Sequence, residues 1–304
     1  MKVAIIGAGK VGRSLARALR QTAHTVDLIP ARSGVPRRRI VAALLVLAVR
    51  DGQLAGWARD LARARVVARR AAVVHLAGAL GVEVLSPLRG AVAGLGRAHP
   101  AVSFASSSVS PWLVGASLVV SGDEIAVKRA SRVGRAIGLV PRSGDAIDPI
   151  AYHAACALVA NGGAAIAASA HRLLVHAGLS ASDSTGVVGP LLRSVGQNVA
   201  QLGLPGALSG PIRRGDSVTL RKHLGKVREQ APELIFLYVE LAKVQLAMAR
   251  ELAEASPEQL AAVERVLRRR RRDEAPAAPN PPHSELPAGP DRESVSVRAQ
   301  RLAK

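Results

Sequence analysis

An α/β domain followed by an all-helical domain is the architecture that this 304-residue sequence predicts, and three observations predict it. The chain opens on a β-branched run, Lys2 to Ile6, followed at once by Gly7-Ala8-Gly9-Lys10-Val11-Gly12 and a helical pattern from Arg13 to Leu19. Short apolar runs then alternate with helix-length segments as far as about Pro141. From Asp145 onward the alternation stops and only helical segments remain. Strands interleaved with helices imply a parallel sheet, and the run of helices after them implies a second domain.

The opening stretch places a strand, a G-x-G-x-x-G turn and a helix start in immediate succession, the dinucleotide-binding fingerprint of a Rossmann-like domain. Gly7 permits the tight turn, Gly9 lets the backbone approach a diphosphate, and Gly12 lets the helix pack closely on the strand. The N–H groups at the helix start then face the phosphates. Gly7, Ala8, Gly9, Lys10, Val11 and Gly12 are therefore the predicted cofactor-binding residues. Thr25 to Ile29 reads as the second strand. An acidic residue closes this strand in NAD-specific folds; here it runs into Pro30-Ala31-Arg32-Ser33. Arg32 stands where a guanidinium can clamp a 2′-phosphate, so NADP(H) is the preferred cofactor and NAD(H) the lesser fit.

Ala43 to Val49 is the next strand, and only about a dozen residues separate it from the second, so the usual third-strand unit is expected to be cut down. A helix follows Arg50-Asp51 to about Arg65. Ala71 to Leu76 and Val92 to Leu95 are further strands, with His99-Pro100 in a loop after the latter. Ser117 to Ser121 is another, Asp123 begins a helix to about Ile137, and Leu139 to Pro141 closes the sheet. Asp148-Pro149 opens a long helix to about Ala177, with later helices near 184–202, 217–230 and 232–253. A last short helix from Pro257 runs into Arg268 to Arg272. Residues 1–143 thus form the nucleotide-binding domain and 144–254 a helical substrate and dimerisation domain. Residues 255–304 are a short helix and a basic, Pro-rich tail too poor in apolar residues to order itself.

Composition narrows the function classes. The net charge is +20. Ten basic and five acidic residues fall from Arg265 onward. The remaining excess is mostly arginine spread along the chain without aromatic interleaving, which argues against nucleic acid as a partner and for attraction of small anions. One cysteine, Cys156, excludes a disulfide framework and a cysteine-rich metal site, and a cytoplasmic location is expected. The glycine turn interrupts the first apolar run too early for a signal peptide. Ala151 to Ala170 is apolar but carries His153 and Asn161, so a buried helix is expected there, not a membrane span.

One set of residues carries a family resemblance. It comprises Val73-Val74-His75-Leu76-Ala77-Gly78-Ala79-Leu80, His99-Pro100 with Ser103-Phe104, Tyr152-His153-Ala154-Ala155 with Asn161, and Ala207-Leu208-Ser209-Gly210-Pro211-Ile212-Arg213-Arg214-Gly215-Asp216 with His223-Leu224. Over about residues 1–250 the chain resembles a bacterial family pairing a Rossmann-like domain with a C-terminal helical domain of unknown function. That helical domain is similar to the C-terminal domains of 6-phosphogluconate dehydrogenase, ketopantoate reductase and pyrroline-5-carboxylate reductase. The resemblance implies an oxidoreductase working in an interdomain cleft on a small anionic carbonyl substrate, a 2-oxo acid of ketopantoate type, and a homodimer. Departures are Gly162-Gly163 after Asn161 where the family tends to carry a larger residue, Ser209 for the usual threonine, and Arg50 for a proline.

Reduction of a carbonyl needs a proton donor and groups that fix the substrate. In related reductases a lysine often occupies the long helix; here His153, whose imidazole titrates near neutral pH, is the candidate acid. Asn161, about 80° around and roughly 12 Å along the same helix, would orient the substrate. Arg213 or Arg214 would hold its carboxylate, with Ser209 beside them, or else these arginines and Asp216 only lock the loop. His99 either lines the substrate site or makes a turn, and His75 is structural. No histidine spacing implies a metal. The other classes of function open to this sequence are a non-catalytic, nucleotide-binding regulatory or scaffold protein and an RNA-associated protein acting through Arg268 to Arg272.

Overall fold

A computed structural model describes residues 1–268 of the chain. Among these, strands β1 (Lys2–Ile6), β2 (Thr25–Ile29), β3 (Leu44–Leu47), β4 (Ala72–His75), β5 (Gly94–Pro100), β6 (Ser117–Gly122) and β7 (Val140–Ser143) form one sheet in the order β2-β1-β3-β4-β5-β6-β7. Every neighbouring pair is parallel except β5 with β6. Helices α1 (Lys10–Arg20), α2 (Leu54–Ala64) and α3 (Glu124–Ala136) lie in the crossovers. Side chains alternate along each strand, so the apolar runs feed two faces. Val3, Ile5, Leu44 and Val46 pack with Leu15 and Leu19 of α1 and with Ala130 and Val133 of α3. Ala4, Ile6, Leu45 and Leu47 pack with Leu54, Ala58 and Leu61 of α2. Each leucine buried in this way contributes about 1.5–3 kcal/mol.

Residues 30–43 cross from β2 to β3 with one short 3-10 turn, Ala31–Ser33, so β2 is left as the edge of the sheet. This is the shortened unit that the spacing predicts. The chain leaves β1 for β2 on one side and returns to β3 on the other. That reversal opens a crevice at the carboxyl ends of β1 and β3, where such sheets bind ligands.

Two elements differ from the sequence expectation. β5 runs on to Pro100, and His99 pairs with Val119 of β6 instead of lying in a loop. The antiparallel partner β6 supplies the ladder that prolongs the strand. The long helix from Pro149 is also not uniform. It consists of α4 (Pro149–Ala157), a π turn (Leu158–Gly162) and α5 (Gly163–His176). Asp148 begins it, its carboxylate accepting from the N–H groups of Ile150 and Ala151 at 2.8 and 2.9 Å. None of the residues from Pro149 to His176 is buried, contrary to the expectation of a buried helix. By length and composition it is the one helix among the described residues that is apolar enough to cross a membrane.

Contacts divide the chain into two compact units, Met1–Ala168 and the remainder from Ser169. The division expected after residue 143 therefore falls ahead of α4, which lies in the first unit. In the second unit, α6 (Ala181–Leu202) precedes α7 (Ser217–Gln230), α8 (Ile235–Leu252) and α9 (Pro257–Arg268). Leu220 and Leu224, Ala242 and Leu246, and Leu260 and Val263 bring the last three helices together in one core. The arginine run past Arg268 and the tail expected from Asp273 lie outside the described residues.

Candidate active site

Two cavities in the first unit are lined by consecutive residues at the start of α1, Gly9 in one and Lys10 in the other. The smaller, about 270 Å³, is lined by Gly7, Ala8, Gly9 and Arg13, by Pro30 to Arg32 after β2, and by Ala48 to Arg50 after β3. Gly7 adopts φ +117°, and a Cβ there would lie 2.2 Å from the Ala48 carbonyl oxygen. A Cβ on Gly12 would lie 1.8 Å from the Gly7 oxygen, whereas one on Gly9 would meet nothing within 4 Å. The turn is therefore closed on its inner side and open where a ligand would sit. Helix α1 starts without a side-chain cap and without an acidic residue in its first turn, leaving its N–H groups for an anion. Arg13 Nε donates to the Ala8 oxygen at 2.7 Å and stiffens the turn. Three arginines and no carboxylate line this space, so the residues present fit a diphosphate carrying a further phosphate.

The larger cavity, about 880 Å³, is lined by Lys10, His99, Phe104, Tyr152, His153, Cys156 and Asn161 among others. His99 Nδ1 and the Tyr152 hydroxyl share a hydrogen bond of 2.9 Å. The His99 ring stands edge-on to Tyr152 and to His153, with centroids 5.4 and 5.9 Å apart. Gly78, just beyond β4, makes room for both imidazoles: a Cβ there would lie 2.3 Å from His153 Nδ1 and 2.9 Å from His99 Nε2. Burial pushes the His99 imidazole down to about 4, and His153, Arg97 and His75 add to the effect, so His99 is neutral at pH 7. Burial pushes the Tyr152 phenol up and its hydrogen bond with Cys156 adds to this, while Arg97 pulls the other way. Below the cavity, His75 accepts from the Ala77 N–H at Nδ1, so its Nε2–H donates to the Gly81 oxygen. Burial lowers the His75 pKa, and the residue is a neutral structural group.

Gly7, Ala8, Gly9 and Arg32 line the small cavity as the sequence predicts. Gly12 closes the turn from behind, and Val11 packs on the core instead of facing the space. Lys10 points to the larger cavity, where His99, His153 and Asn161 also lie, the π turn notwithstanding. His153 is exposed, not a buried helix histidine. Ser209, Arg213 and Arg214 belong to the second unit. Arg213 makes a two-pronged pair with Glu254 at 2.5 and 2.7 Å and donates to the Gly206 and Leu208 oxygens. Its guanidinium is used up in locking the loop and is not available for a substrate carboxylate. Asp216 accepts from the Thr219 N–H at 2.9 Å and caps α7. Ser209 and Arg214 are exposed. Among the described residues no group of three or more His, Cys, Asp or Glu side chains could hold a metal ion.

Sequence reasoning missed four contributors. Arg50 lies just past the carboxyl end of β3 and lines the same cavity as the glycine turn, and the rule that ligands bind at carboxyl strand ends would have found it. Tyr152 was one letter in a resemblance, Gly78 an ordinary glycine, and Arg97 an unremarked charge in a strand.

Comparison with known proteins fits these features. Residues 116–245 match a domain of unknown function, DUF2520, and residues 39–95 match a Rossmann-like domain. A search of curated proteins finds no match. Among solved structures, the chain is similar to a provisionally assigned NADP oxidoreductase from Bacteroides fragilis, at 19% identity and TM-score 0.62, covering 80% of this chain and 97% of that one. It is also similar to an imine reductase from Streptomyces aurantiacus, at 15% identity and TM-score 0.54, covering 88% and 99%. A 1-pyrroline-5-carboxylate reductase from Streptococcus pyogenes aligns at 15% identity and TM-score 0.54, covering 83% and 98%. At such identities the likeness is one of fold.

Proposed function

For a chain that joins a Rossmann-like domain to a DUF2520 domain, we propose the role of an NADP(H)-dependent oxidoreductase that reduces a small carbonyl acid. The observation that carries this reading is that consecutive residues at one helix start line two cavities, Gly9 the cationic cradle and Lys10 the space with His99, Tyr152 and His153. A reduced nicotinamide dinucleotide supplies a hydride when bound. The glycine turn and the α1 N–H groups hold its diphosphate, and Arg32 and Arg50 hold the ribose phosphate. Lys10 attracts the acid group of the substrate, and His153 and Asn161 orient it by hydrogen bonds. The imine reductase and the 1-pyrroline-5-carboxylate reductase among the structural neighbours make a C=N acid the second substrate class to try.

The test is NADPH oxidation with ketopantoate, other 2-oxo acids and cyclic imino acids. Turnover of one class is expected, with NADPH bound at least ~10-fold more tightly than NADH and most of that preference lost in Arg32→Ala. NADPH binding without any turnover would favour the scaffold role instead. We also propose that the protein is a homodimer. In α6 only Ser184 is buried, while Leu191, Val195 and Leu202 are exposed on a helix that also carries Asp183, Arg193, Gln197 and Asn198. That mixture suits a second copy of the chain better than lipid. Light scattering is expected to give twice the chain mass.

A further inference from the structure

Arg97, in the middle of β5, is only 2% exposed. Its Nε and Nη2 are fully enclosed and find no hydrogen-bond partner. Its register neighbours are His75 on β4 and Ser121 on β6, neither of them an anion. A guanidinium stays charged inside a protein, and enclosing one without a counter-ion costs several kcal/mol. Its tip is accommodated because residue 144 is glycine: a Cβ there would lie 3.0 Å from Nη2. The guanidinium carbon lies 5.7 Å from the centroid of the Tyr152 ring, within the range of a cation–π contact. The hydroxyl of that ring bonds His99, and Tyr152 lines the large cavity.

A buried cation that lacks an anion in the resting protein is suited to a site where an anion forms during the reaction. We propose that Tyr152 is the proton donor of the reduction and that Arg97 is a positioning residue whose charge holds the phenolate left behind. This inference rests on the reductase reading. The hydride passes from the reduced dinucleotide to the substrate C=O or C=N carbon, and the Tyr152 O–H bond breaks as its proton goes to the oxygen or nitrogen. Neutral His99, donating from Nδ1–H to the phenolic oxygen, and the Cys156 thiol beside it complete the support of the phenolate. Solvent returns the proton. His153 touches His99 edge-on and faces the substrate instead of donating. The charged and titratable groups around the pair are Arg97 and His75 from the sheet, His153 and Cys156 from α4, and Lys10 across the cavity.

The experiment uses full-length protein with Arg97→Met, Arg97→Lys and Tyr152→Phe. Arg97→Met is expected to fold, because a buried lone charge is replaced by an apolar chain of similar length. Arg97→Lys keeps the charge should methionine fail. Imidazole NMR, which needs no turnover, is expected to show His99 titrating near 4 in the parent, roughly half a pH unit higher in Arg97→Met, and back near the parent value in Arg97→Lys. In turnover, Tyr152→Phe is expected to lower kcat ~100-fold or more. Arg97→Met is expected to lower kcat ~10-fold, with KM and NADPH affinity nearly unchanged, and Arg97→Lys to restore most of the loss. An unmoved His99 titration, or a kcat unchanged in Arg97→Met, overturns the part given to Arg97. Full kcat in Tyr152→Phe, with the parent active, overturns the donor and leaves the reductase reading standing. A parent that binds NADPH but turns over no carbonyl or imino acid sinks that reading and the donor with it.

Discussion

The glycine turn after β1 and the His99–Tyr152 pair lie in one unit of the chain but are built in opposite ways. In the turn, the backbone makes the site: Gly7, Gly9 and Gly12 act by what they lack, within six consecutive residues. At the pair, side chains from β5 and α4 meet across 53 residues of sequence, and Gly78 from a third element clears the space between them. The first site has room for a Cβ at Gly9 but none at Gly7 or Gly12. The second depends on ring positions that several elements set together.

Substitution at the glycines should expose this difference most strongly. Gly12→Ala drives a Cβ into the Gly7 carbonyl and is expected to cost ~3 kcal/mol or more of stability, or to prevent folding. Gly9→Ala meets no protein atom. Its melting temperature should stay within a degree or two of the parent, while NADPH affinity in a fluorescence titration falls ~100-fold. Equal losses of stability in the two variants would mean that the turn is only a packing device.

A smaller effect is expected at the pair. Gly78→Ala pushes both imidazoles aside, so kcat should fall ~10-fold or more while NADPH affinity changes less than ~2-fold. Steady-state kinetics beside the same fluorescence titration would separate the two cavities. A parallel loss of binding would merge them into one site.

The smallest effect concerns pH. Burial holds the His99 pKa at about 4, below its ordinary value of 6.5. The unfolded chain therefore binds a proton more readily in that interval, and the neutral form's contribution is complete above 6.5 and lost as pH falls toward 4. His99 is partly solvated, so the loss should amount to about 1–2 kcal/mol. Denaturation midpoints measured across this range should fall with pH, and less steeply in His99→Gln. His75 and His24 are lowered in the same direction and supply slope that remains.

Much of the first unit was legible because its signals are local. The apolar runs of β1, β3 and β4 are buried on both faces and need no partner to be recognised. The short spacing from Ile29 to Ala43 was enough to remove a strand. His99 was misread because β5 is prolonged by β6, which pairs with it from some twenty residues away. For Arg213 the sequence left a substrate carboxylate and a loop lock equally open, because Glu254, which takes its guanidinium, lies 41 residues downstream.

The sequence by itself determined the order of strands and helices, the glycine turn and its arginine after β2, since each follows from neighbours within a few residues. Tertiary structure alone decided that Arg97 lies enclosed under Tyr152, that Gly78 makes room for two imidazoles, and that Arg213 faces Glu254. Those relations depend on which distant segments the packed sheet and helices bring within a few ångströms, and residue spacing carries no record of that.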